Sequence, residues 1–341
     1  VVDLDIVEKP RWTTEFGGGW NSDRGLTARV GATDHNLLGR GISLGFRGRW
    51  ERDFVQGRLV LGMPPKPGGR FSAGLNASYT EDVLPAEAEG DLVINENIRE
   101  ATLEGRYRIR QGLWSRGYYR FTRTRSFEED PFDPDFPFDI TIDVAVLGGQ
   151  IVTDRLDNPF DPRHGYYLGF DLSWADEALG SDKENIRGLL TSSLATEPHP
   201  GWTWFQSLRV GAAKPFNGTL DRQSRFFAGG PASVRGFKLD SVGPVEVIGD
   251  TTLYAGGEAL FVLNEELRFP VWQSLRGAFF FDAGQVWETW SEADFDLSVG
   301  AGIGLRWSTP IGPLWFDAAW PVANPGKNSG ARYSFGIGRT F

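Results

Sequence analysis

The sequence predicts an all-β fold, a 16-stranded antiparallel transmembrane β-barrel closed on itself. Three observations carry that prediction. Large apolar residues alternate with small or polar ones in stretches of about ten residues, the length a tilted strand needs to cross a bilayer. No run of about 18 apolar residues exists, so a membrane-spanning helix is excluded. The connections alternate between short and long.

The alternation fixes the elements and their faces, because successive strand side chains point to opposite sides of a sheet. Along 71–80, Phe71, Ala73, Leu75, Ala77 and Tyr79 share one face, and Ser72, Gly74, Asn76, Ser78 and Thr80 share the other. Along 295–307, Phe295, Leu297, Val299, Ala301, Ile303, Leu305 and Trp307 oppose Asp296, Ser298, Gly300, Gly302, Gly304 and Arg306. Segments 42–50, 166–174 and 333–341 repeat the pattern. In a soluble sandwich the polar face would be bulky and charged. Here it is mostly Gly, Ser, Thr and Asn, with Arg47, Arg49, Arg58 and Arg120 scattered through it. That suits a lumen wall, with the apolar face turned to lipid. Short connections are predicted at 35–40, 64–69, 111–112, 198–201 and 309–312. Long ones fall at 81–97, 127–139 and, longest, 216–250. Short turns on one side and long loops on the other are the periplasmic and extracellular ends of an outer-membrane barrel.

Composition narrows the function. With 45 acidic against 35 basic side chains, the net charge of -10 argues against nucleic acid or an anionic lipid surface as the main partner. The absence of Cys excludes disulfides, thiolate metal sites and Cys nucleophiles, and suits passage through an oxidising periplasm. Met63 is the single Met, so Val1 is not a translation start and upstream sequence is expected. The three His residues, His35, His164 and His199, all fall in predicted short turns, away from any plausible nucleophile, so no enzyme is expected. The Asp-rich stretch 130–139 lacks the spacing of a dedicated Ca²⁺ loop and reads as solvated, and no metal site is expected.

The longest connection, between predicted strands 11 and 12, holds Gly229-Gly230-Pro231-Ala232-Ser233-Val234-Arg235-Gly236-Phe237. Strand 12 carries Glu266-Leu267-Arg268-Phe269-Pro270, and strand 13 carries Phe280-Phe281-Asp282-Ala283-Gly284. By parity Phe279 and Phe281 face lipid, which turns Phe280 and Asp282 inward. Leu267 and Phe269 likewise turn Glu266 and Arg268 inward. The lumen therefore holds two carboxylates beside an Arg-bearing loop.

Together these motifs resemble the outer-membrane barrel-assembly superfamily of the BamA/TamA type, over essentially the whole chain. Residues 229–237 resemble its signature sixth loop and 280–284 its aromatic-x-Asp-x-Gly element. The segment ending on Phe341 is similar to the recognition signal on the last strand of such barrels, and 36–41 and 157–165 resemble family turns. Residues 1–10 read as the end of a truncated periplasmic POTRA domain, leaving 11–341 as the barrel. The resemblance implies that the sixth extracellular loop folds inward and that Arg235 contacts Asp282, Glu266 and the Phe280 ring. Val234, Arg235, Gly236, Phe237, Glu266, Phe280, Asp282 and Gly284 would then form a loop–lumen lock. It further implies an integral protein of the bacterial outer membrane that folds and inserts client barrels, without cofactor or covalent chemistry. Its partners would be client outer-membrane proteins, outer-membrane lipid and periplasmic or lipoprotein accessory subunits. Two-partner-secretion translocators share the loop motif and are the alternative. A passive porin fits less well with an inward, charged loop.

The seam between the first and last strands is the expected working site. The first strand carries Gly17, Gly18 and Gly19; the last carries Tyr333, Phe335, Gly336, Ile337, Gly338 and the terminal Phe341. Gly inside a strand weakens it, through backbone entropy and the lack of a side chain to pack. Few ladder bonds should therefore close this seam, leaving an edge free to template a client strand.

Overall fold

The computed structural model describes residues 10–337, apart from 67, 85, 89–92, 129–137, 160, 249–250, 295, 311 and 327. Residues 1–9 of the expected POTRA end, Phe295, Gly338 and Phe341 lie outside the described residues, as does most of the acidic stretch 130–139. Sixteen antiparallel strands close in sequence order, each paired with its chain neighbours and the first with the last. They are Trp12–Asn21, Gly25–Leu37, Ile42–Glu51, Phe54–Met63, Phe71–Val83, Ile94–Arg110, Leu113–Glu128, Asp139–Asp154, Gly165–Ala175, Asn185–His199, Trp202–Pro215, Ala259–Trp272, Leu275–Trp287, Ser298–Thr309, Gly312–Ala323 and Arg332–Ile337.

The parity expected from the sequence holds. Phe71, Leu75, Tyr79, Tyr166, Leu168, Phe170, Ile303, Leu305, Trp307, Phe279 and Phe281 are exposed on the outer wall. Phe280, Asp282, Glu266, Arg268 and Arg306 are buried inside. Continuous exposed apolar surface on this scale is foreign to a water-soluble monomer and is the wall a bilayer covers.

The two rims differ, with exceptions to the expected alternation. The first strand begins at one rim, here the terminal rim. At the opposite rim the connections 22–24 and 52–53 are short. The first is tight because Asn21 Oδ1 accepts the backbone N–H groups of Asp23 and Arg24 at 2.9 Å each. Conversely, the turn 155–164 at the terminal rim is longer than its neighbours. The long-loop rim carries a small three-stranded sheet of Ala86–Ala88, Val245–Ile248 and Thr251–Tyr254. Inside, the barrel is lopsided. The loop 216–258 packs against the eleventh to fifteenth strands, while the wall around Arg47, Arg58, Asn76, Glu104 and Arg116 faces a cavity of about 720 Å³.

Candidate functional site

Two devices hold the loop inside. The first is apolar: Val234 and Phe237 are buried with Phe226, Leu260, Val262 and Val286. Burying each such side chain is worth about 1.5–3 kcal/mol. The second is ionic. Arg235 Nε and Nη2 donate to the two oxygens of Asp282 at 2.7 and 2.9 Å, a bidentate fork. The backbone N–H of Arg235 donates to Asp282 Oδ2 at 3.0 Å. Nη1 donates to Glu266 Oε2 at 2.8 Å and to Asp317 Oδ2 at 3.4 Å. The guanidinium carbon lies 3.5 Å from the Phe280 ring centroid, a cation–π contact. These are the contacts expected of Arg235, with Asp317 added.

Barrel closure supplies the rest. Register sets Asn264 opposite Asp282 and Glu266 opposite Phe280, then Asp282 opposite Gly300 and Gly304 opposite Asp317. The inward residues of four consecutive strands thus lie in three adjacent rows, Asn264–Asp282–Gly300, Glu266–Phe280–Gly302–Ala319 and Arg268–Ala278–Gly304–Asp317. Glycine clears the room: a Cβ on Gly300 would lie 1.8 Å from the Arg235 carbonyl oxygen, and one on Gly284 2.8 Å from Val234 Cγ2. Gly236 sits at φ 95° against the Trp320 backbone, a conformation L side chains rarely adopt.

Three participants in the lock were not assigned to it from the sequence, although Arg306 was already placed on the inward face. Arg306 donates to Glu266 Oε1 and Oε2 at 3.1 and 2.7 Å and to Asp317 Oδ1 at 2.6 Å. Asn264 Nδ2 donates to the Ser233 carbonyl at 2.6 Å and to Asp282 Oδ1 at 2.8 Å. Asp317, beside outward Phe316, is buried. Parity alone turns all three inward, so that signal was available; which loop group they meet was not. Arg268 Nε also donates to Glu266 Oε1 at 2.7 Å. Cations and carboxylates alternate around the cluster, so each buried charge has an opposite neighbour. Such sets specify one arrangement more than they add stability.

The seam is the second feature. The first strand pairs with the second along all 10 of its residues, and with the last, among the described residues, at Gly19↔Gly336, Trp20↔Phe335 and Asn21↔Ser334. Trp12–Gly18 have no last-strand partner among the described residues. The contact is made at the long-loop rim: Trp20 and Phe335 stack with ring centroids 6.3 Å apart. Ser22 exchanges hydrogen bonds with the Tyr333 backbone, and Arg332 pairs with Asp23. Of the three glycines, Gly19 is the one with a register partner in the last strand among the described residues, and a Cβ there would lie 2.5 Å from the Phe335 carbonyl oxygen. Gly17 and Gly18 lie beside Arg29 and Thr27 of the second strand. Inside the seam a cavity of about 140 Å³ is lined by Gly18, Gly19, Glu51, Ala232, Trp315 and Gly336. Tyr333, Phe335 and Ile337 face outward.

A family model, the Omp85 superfamily domain, matches residues 36–341. The chain is 23% identical over 402 residues to the outer membrane protein assembly factor BamA of Neisseria meningitidis serogroup B, covering 100% of this chain and 48% of that protein. It spans about half the length of the curated relatives it matches. The structure of BamA from Haemophilus ducreyi lacking POTRA domains 1-3 aligns with a TM-score of 0.79 at 22% identity, covering 97% of this chain and 71% of that one. CdiB from Acinetobacter baumannii aligns with a TM-score of 0.61 at 15% identity, covering 96% and 59%.

Proposed function

The chain belongs to the Omp85 superfamily and is an integral barrel of the bacterial outer membrane, and on that premise we propose that it assembles other outer-membrane proteins, folding and inserting client β-barrels through its seam. The observation that carries this reading is the short pairing, among the described residues, of the first strand with the last, against full pairing with the second. An unpaired strand edge is a template: a client strand can add its backbone hydrogen bonds one for one. Exchange of ladder bonds needs no nucleotide, metal or covalent step. The terminal rim faces the periplasm in this reading, so clients and accessory lipoproteins approach where the barrel's chain begins. The locked loop, meanwhile, occupies one side of the lumen, against the twelfth and thirteenth strands.

The test is a disulfide across the seam. The chain has no Cys, so introduced pairs are the only thiols. Trp20→Cys with Phe335→Cys joins register partners on the outer face. Ile151→Cys with Phe170→Cys makes the equivalent lock between the eighth and ninth strands. Oxidation should abolish client insertion into proteoliposomes for the seam lock and leave it intact for the control. Full insertion by the oxidised seam lock would exclude the seam as the working site. Export of a soluble partner by that locked protein would instead favour a translocation pore.

A further inference from the structure

The turn 155–164 has a distinctive composition and takes part in neither the seam nor the loop. It is tightly built: Asp157 Oδ1 accepts the backbone N–H groups of Asn158, Arg163 and His164 at 2.9, 3.0 and 3.2 Å. A turn needing only to join two strands at the rim would leave its remaining carboxylate in water. Asp161 instead points into the bore, its side chain 18% exposed. There it accepts from Arg268 Nη1 at 3.0 Å and pairs with Arg276. Arg268 and Arg276 stand on the twelfth and thirteenth strands, so a residue between the eighth and ninth reaches across the lumen.

The charge count gives this contact a meaning. The ion-paired cluster among the described residues holds four cations, Arg235, Arg268, Arg276 and Arg306. The barrel wall answers with three carboxylates, Glu266, Asp282 and Asp317. The fourth carboxylate is Asp161. Arg268 already holds Glu266 Oε1 through Nε; without Asp161 its Nη1 loses its own carboxylate and is left to seek Glu266 Oε2, the oxygen Arg235 holds, with the unneutralised Arg276 close by. We propose that Asp161 is a positioning residue for the sixth loop: it neutralises Arg268 and Arg276, keeps Arg268 from drawing Glu266 Oε2 away from Arg235, and so sets from one rim how firmly the loop docks from the other. A partner that drew this turn outward at the terminal rim would loosen the loop at the far end.

Val234→Cys provides a single thiol that is buried when the loop is docked, and its maleimide labelling rate in the folded protein reads loop release. Asp161→Asn should raise that rate by about tenfold or more, a shift of at least about 1.4 kcal/mol in docking. Adding Arg276→Gln removes the surplus cation and should return the rate close to that of the parent. Asp161→Glu, which keeps the charge, should label like the parent. A folded Asp161→Asn protein labelling at the parent rate overturns the proposal, as does a raised rate that Arg276→Gln does not rescue. If Asp161→Asn does not fold, Arg276→Gln alone decides: it leaves Asp161 wholly to Arg268, and faster labelling refutes the charge argument. None of these readings uses client insertion, so their failure is distinct from failure of the assembly reading.

Discussion

Replacing Arg235 with Ala is the most direct perturbation of the lock, and its cost can be assigned to one carboxylate. Glu266 keeps Arg268 and Arg306, and Asp317 keeps Arg306. Asp282, fully buried, is left with Asn264 Nδ2 at 2.8 Å and the backbone N–H of position 235. Removing one partner of a buried ion pair costs about 3–5 kcal/mol, because the other charge stays behind desolvated. Water entering from the hollow side of the lumen should bring this to the lower end. About 3 kcal/mol is roughly a hundredfold in the docked-to-released equilibrium. The wall ladders are untouched, so the barrel should keep its fast unboiled gel mobility while the loop becomes sensitive to protease. Arg235→Lys should rescue only partly, since an ammonium lacks the planar fork that meets both oxygens of Asp282. Arg235→Ala with Asp282→Asn should cost less than the sum of the single changes, because the orphaned charge is gone. Parent-like protection of the loop in Arg235→Ala, or strict additivity in the double variant, would refute the assignment.

Gly300→Ala pushes a methyl group against the Arg235 carbonyl oxygen, a backbone atom that cannot swing away, and should weaken docking by about 1–3 kcal/mol. Gly117→Ala, where a Cβ meets nothing within 4 Å, is the matched control and should label and melt like the parent. Docking should also depend on pH through Asp240 in the loop. Burial pushes its carboxyl up to about 6 from an ordinary 3.8; Arg222 and Arg24 oppose this, and Asp82 and Asp23 reinforce it. The docked loop therefore binds that proton more tightly than the released loop. This contribution is complete below the ordinary value and is lost as pH rises through about 6. Protease protection of the loop should fall between pH 5 and 7.5, and Asp240→Asn should flatten that part of the profile. Finally, the folded protein should require detergent and show the unboiled mobility shift of a closed barrel; a water-soluble monomer would contradict the lipid-facing wall.

The sequence alone determined which way side chains point. Period two is a property of the strand itself, so Phe279, Phe281 and Leu267 assign lipid, and Phe280, Asp282 and Glu266 assign lumen, before any fold is known. Turn chemistry and the 229–237 motif placed the loop between the eleventh and twelfth strands, and the motif's resemblance named Arg235's partners. Parity put Arg306 on the inward face and would have put Asp317 and Asn264 there too, but inward is a direction, not a neighbour. Only closure at a particular register sets Asp282 across from Gly300 and Gly304 across from Asp317, so that a loop Arg finds a third carboxylate. The pairing at the seam is likewise a tertiary fact: Gly17, Gly18 and Gly19 look equivalent in sequence, yet among the described residues Gly19 is the one that pairs with the last strand. Asp161 is the plainest case. Nothing local distinguishes it from a solvated turn residue, because its partners lie 107 and 115 residues away and become neighbours only when sixteen strands enclose a common bore.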